Sequence, residues 1–95
     1  MSVPYIVVFK AVEGKGDELA SLLQQGRDLY NSIDECELCD VYRSEDDLNR
    51  VALVELWESV EAHDANLPKL QSSGIFDQIM PILAEPFIGG PHRQI

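Results

Sequence analysis

Apolar residues recur along this chain with two different periods, and the places where the period changes divide it into elements. From Pro4 to Val12 the period is two: Tyr5, Val7 and Phe9 fall on one side of an extended strand, Ile6 and Val8 on the other. Both sides are apolar, which predicts that both are covered. Glu13–Gly16 is a charged, glycine-bearing turn, and Asp17 is placed to cap the helix that follows. Leu19, Leu22, Leu23, Gly26, Leu29, Tyr30 and Ile33 then come at helical spacing and predict a long amphipathic helix. Ser32–Glu37 connects it to a second strand, Leu38–Ser44. The polar loop Glu45–Arg50 suits an antiparallel hairpin into a third strand, Val51–Glu58.

At Ser59 the period changes again with almost no loop. Ser59 is a good N-cap, and Glu61 suits the positive end of a helix dipole. His63, Leu67 and Leu70 form the stripe of a second helix, so Glu55 and Trp57 at the strand end meet His63 and Asn66 in the first turns of that helix. Pro68 predicts that the helix ends or kinks near Leu67, and Ser72-Ser73-Gly74 reads as a break. Phe76, Ile79, Met80 and Leu83 resume a helical stripe. Phe87-Ile88 opens a last strand that Gly89-Gly90-Pro91 ends or bends.

The order β-α-β-β-α-β predicts one α+β domain over residues 1–95. Its arrangement is ferredoxin-like, a four-stranded antiparallel sheet with helices on one face. The other face then has no helix, although each strand offers it apolar groups. Burying each such side chain is worth roughly 1.5–3 kcal/mol, so a second copy packed face to face is the expected cover, a homodimer.

Composition narrows the partners. A net charge of −10 opposes binding to nucleic acid or an anionic membrane. No apolar run nears the roughly 18 residues of a membrane span, and MSVPYIVVFK has no secretory character, so a cytoplasmic location is expected. Cys36 and Cys39 are spaced C-x-x-C. With only His63 and His92 to add, and with a strand rather than a helix following, buried inert thiols are expected over a zinc or redox site.

Two strings carry a wider likeness. Cys36 to Asp47 reads C-x-x-x-D-V-Y-R-S-x-D-D, and Val54 to Ala65 reads V-E-L-W-E-S-x-E-A-H-D-A. Together they resemble the antibiotic biosynthesis monooxygenase family, most specifically at the E-x-W-x-S…E-A-H junction. The resemblance implies a dimeric α/β barrel of ferredoxin-like subunits, each with a pocket between sheet and helices. It also implies small-molecule chemistry, in several members oxidation of phenols or quinols by O2 with neither metal nor flavin. Other members isomerise small phosphorylated sugars or degrade haem. The chain departs from the family pattern where a second histidine is common: Asn66 stands there, and the segment after Pro68 lacks the usual Pro-His pair.

Cofactor-free oxygenation needs a base within reach of a phenolic proton and a site that keeps water from the intermediate. His63 is the candidate base, with the right unperturbed pKa. Asn66 is a candidate donor to a developing oxyanion, or it satisfies helix backbone near Pro68. Trp57 is a candidate aromatic wall, with core or dimer interface the favoured alternative. Tyr42 could orient a substrate oxygen or simply pack, and Glu55 could act as a second acceptor or pair with Arg43 or Arg50 across a dimer. A histidine base with an amide donor would equally suit isomerisation of a small carbonyl compound. A third possibility is a non-catalytic ligand-binding or assembly dimer; a filled pocket, or a His63 turned away from any cavity, would favour it.

Overall fold

The computed structural model describes residues 2–95. Strand β1 (Val3–Lys10) is followed by helix α1 (Gly16–Asn31), strands β2 (Cys36–Arg43) and β3 (Arg50–Trp57), and helices α2 (Val60–Ser72) and α3 (Ile75–Ile79). A single 3-10 turn over Met80–Ile82 and a short strand β4 (Ile88–Pro91) complete the chain. The four strands form one antiparallel sheet in the order β2-β3-β1-β4, the ferredoxin-like arrangement that the element order predicts.

Alternation along the strands sorts the side chains as expected. Tyr5 and Phe9 of β1 and Val51, Leu53, Glu55 and Trp57 of β3 are buried beneath the helices. Helix α1 sets Leu19, Leu22, Leu23, Gly26 and Tyr30 against them, and Ile33, just past the helix, is buried with them. The opposite face carries cross-strand rows. Leu38, Leu56 and Pro4 are in register, as are Asp40, Val54, Ile6 and Gly90, and Tyr42, Ala52, Val8 and Ile88. Within one chain these rows lie open: Ile6 is 38%, Leu38 40%, Tyr42 59% and Ile88 67% exposed.

Four local expectations are corrected. Asp17 does not cap α1; it lies inside the first turn, and its carboxylate takes Arg43 at 2.8 Å, while Lys15 holds the cap position without a side-chain bond. Strand β2 begins at Cys36 rather than Leu38, because a bulge between Cys36 and Leu38 lets the chain join β3 early. Helix α2 runs through Pro68 to Ser72. The donor that Pro68 lacks would have served the carbonyl of Asp64, and both residues are exposed, so water can take that acceptor. The last helical stripe is divided: α3 stops at Ile79, and Pro81 sits in the tighter turn that follows. Gly89 has φ +136°, and a Cβ there would strike the backbone of Ile6, so only glycine lets β4 lie this close to β1.

Candidate functional site

The strand–helix junction forms as its sequence dictates. Ser59 leaves β3 in extended conformation, and its hydroxyl accepts the Ala62 N–H at 3.0 Å. That cap starts α2 directly over the end of β3 and turns His63 in over the sheet. The imidazole stacks on Tyr5, with ring centroids 4.0 Å apart and planes at 15°. It meets the Trp57 indole edge-on at 5.3 Å. Only 13% of the His63 side chain is exposed.

Beneath it lies Glu55, 2% exposed. Its Oε1 accepts the Trp57 indole N–H at 2.7 Å and stands 4.0 Å from His63 Nε2. Burial raises the Glu55 pKa above the ordinary carboxylate value; the Trp57 hydrogen bond and His63 oppose that shift. On the other side of the ring, Nδ1 lies 3.1 Å from Asp64 Oδ1. An ionised carboxylate only accepts, so Nδ1 is the donor in this contact, and in the neutral ring Nε2 is then the acceptor.

His63 and Glu55 both line a cavity of about 660 Å³ between the sheet and the later helices. Tyr5, Val7, Phe9 and Leu53 form its floor, and Tyr30 of α1 closes its back. Leu67 and Gln71 of α2, Phe76 and Asp77 of α3, and the backbone at Gly89–Pro91 form its walls. This volume lies in the range of small-molecule sites, which run roughly 300–1,000 Å³.

The structure brings together only part of the predicted constellation. His63 and Glu55 face the cavity. Trp57 is fully buried behind them, and its role there is to hold Glu55 and pack against Tyr30 at 5.4 Å rather than to form a wall. Asn66 donates to the Ala62 carbonyl at 2.8 Å within its own helix and is not among the lining residues; it is a back-bonded helix residue rather than an oxyanion donor. Tyr42 is in register with Ala52 on the open sheet face, away from the cavity. Arg43 pairs with Asp17 and Arg50 with Asp47, so within the chain neither meets Glu55.

Tyr5 and Tyr30 were not singled out from sequence as site residues. Tyr5 is legible in hindsight, because it shares the inward face of β1 and pairs in register with Glu55. Tyr30 is one member of a helical stripe with nothing to set it apart from core. Both cysteines are buried and free. Burial pushes the Cys36 thiol up to about 11 and raises that of Cys39 as well, in keeping with inert thiols.

Fold and cavity together define a small ferredoxin-like α+β domain with a ligand-sized hollow between its sheet and its later helices. Solved structures share this architecture over almost their full length. A Nitrosomonas europaea protein provisionally assigned as an antibiotic biosynthesis monooxygenase superposes with a TM-score of 0.89 at 17% identity, covering 99% of this chain and 90% of that one. Rv0793 of Mycobacterium tuberculosis gives 0.87 at 21% identity, covering 100% and 96%. SO0527 of Shewanella oneidensis gives 0.85 at 26% identity, covering 98% and 90%. No curated protein matches the chain by sequence. The profile of the antibiotic biosynthesis monooxygenase family matches residues 4–67, from β1 to the middle of α2. The chain belongs to that family.

Proposed function

We propose that this protein is a cofactor-independent monooxygenase acting on a small phenol- or quinol-like substrate, with His63 as the base. The observation that carries the reading is the place of His63 in the cavity lining, with its Nε2 4.0 Å from Oε1 of the buried Glu55, which lines the same cavity. That gap is too long for a direct hydrogen bond, which leaves Nε2 of the neutral ring to a ligand in the cavity. A substrate hydroxyl there would give its proton to Nε2. The electron-rich phenolate would then reduce O2 and combine with it at an unsubstituted ring carbon. Loss of water from the resulting peroxide gives a quinone, so one oxygen atom enters the ring and the other leaves as water. Asp64 steadies the imidazolium from the Nδ1 side.

The non-catalytic reading would be favoured by a filled pocket or by a His63 turned away from it; the hollow beside His63 supports catalysis instead. The isomerase reading relied on Asn66 as donor, and the bond from Asn66 to Ala62 removes its support. The homodimer belongs to the same proposal. The open rows through Leu56, Val54 and Val8 supply an apolar face, with Asp40 at its β2 edge, for a second copy.

Oxygen uptake over a panel of naphthols and hydroquinones with a free ring position tests the reaction. Uptake is expected with at least one, reduced on the order of 100-fold or more in His63→Ala, the usual contribution of a positioned base. No uptake, or uptake unaltered by the substitution, would refute the assignment.

A further inference from the structure

The cavity carries a charge pattern with a consequence for ligand choice beyond the proton transfer to His63. Glu55, Asp64 and Asp77 all face it, and among the described residues no lysine or arginine lines it. Arg43 pairs with Asp17, and Lys10 and Arg50 with Asp47, while Lys69 of α2 and Arg93 beyond β4 are exposed and are not among the lining residues. Much of the remaining surface is aromatic, from Tyr5, Phe9, Tyr30, Phe76 and Phe87. The face of an aromatic ring is itself electronegative and attracts cations. The same acidic groups act on two phenols that line the cavity, Tyr5 and Tyr30. Burial raises the pKa of each, and the Glu55 charge raises both further, joined at Tyr5 by Asp64 and Glu61.

We propose that this cavity sorts ring-bearing ligands by charge, taking one with an ammonium group best, its uncharged analogue next and its carboxylate or phosphate counterpart worst. The inference rests on the cavity being the substrate site. An anion entering it gives up hydration and meets three acidic side chains, with His63 the one basic side chain among the described lining residues. An ammonium group exchanges water for ring faces and carboxylate oxygens. Phosphorylated sugars are thereby poor substrates. A phenol meets the requirement, because it enters uncharged and its proton moves only to His63, leaving the net charge of the site unchanged. Partly screened charges at this range alter affinity on the order of tenfold per unit of ligand charge.

The test is calorimetric titration, without turnover, of three matched phenols: tyramine, 4-ethylphenol and 3-(4-hydroxyphenyl)propionate. Tyramine is expected to bind about tenfold tighter than 4-ethylphenol, and the propionate about tenfold weaker. Asp77 is exposed, so Asp77→Asn keeps the fold; it is expected to narrow the tyramine-to-propionate ratio about threefold, and added salt is expected to narrow it in the same direction. Propionate binding equal to or tighter than that of 4-ethylphenol, or no binding of any of the three at millimolar concentration, overturns the proposal. The two readings fail separately. The expected order without oxygen uptake on any phenol leaves charge sorting standing and removes the oxygenase. Uptake as fast on carboxylated quinols as on neutral ones removes charge sorting alone.

Discussion

Replacing Trp57 with phenylalanine isolates the most consequential polar contact in the core. The ring stays aromatic and buried, but the indole N–H that reaches Glu55 Oε1 at 2.7 Å is lost. Glu55 is 2% exposed, so water cannot readily replace that donor. A hydrogen bond to a charged group is worth about 1.5–3 kcal/mol and one to a neutral group about 0.5–1.5. The penalty for Trp57→Phe is therefore larger where Glu55 is ionised than where it is protonated. Burial already raises the Glu55 pKa above its unfolded value. The native state then holds the proton more tightly than the unfolded chain, so this group's contribution to stability falls as pH rises from the unfolded pKa through the folded one. Without the indole donor the folded pKa rises further, and the fall becomes deeper and extends to higher pH. The difference between wild type and variant is expected to grow by about 1–1.5 kcal/mol between about pH 5 and about pH 8. Urea unfolding followed by far-UV circular dichroism measures it, since the substitution removes the chain's single tryptophan. Taking the difference at each pH cancels the titration of surface carboxylates. A penalty equal at both pH values would show that the contact does not stabilise the charged form, and in a Glu55→Gln background, which keeps an uncharged acceptor, the Trp57→Phe penalty should no longer change with pH.

Three further outcomes follow from other parts of the molecule. Pro68→Ala restores a helix donor at an exposed position and is expected to stabilise the protein by about 1–2 kcal/mol after allowing for the looser unfolded chain, read as a higher melting temperature. With the Cys36 thiol pushed up to about 11 and both cysteines buried, neither is expected to react with a disulfide reagent at neutral pH until the protein is unfolded; rapid native labelling would contradict the burial. Ile6→Asp places a charge in the centre of the open sheet face, where Ile6 is in register with Val54, and should convert a dimer to monomer in sedimentation; an unchanged sedimentation coefficient would remove that face from the interface.

How far the sequence reached depended on the range of the interactions. Alternation in Val51–Trp57, the i, i+3, i+4 stripe from Leu19 to Tyr30 and the Ser59 cap are short-range signals; they announced the strands, the helices and the junction, and the element order then left the ferredoxin-like sheet as the arrangement to expect. Pro68 misled because local propensity carries no information about solvent, and an exposed acceptor makes proline tolerable inside α2. The candidate site divides along the same line. His63 and Glu55 were legible because one lies at the end of a strand and the other one turn beyond its cap. Tyr42, Trp57 and Asn66 carry the same chemistry in the alphabet of residues, yet one lies on the far face of the sheet, one is fully buried behind Glu55, and one is bonded to its own helix. Tyr30 reaches the cavity only because α1 packs across the sheet from far along the chain. Which side chains share a hollow, and which charges face it without a counter-ion, are properties of packing between distant segments, and only the folded chain decides them.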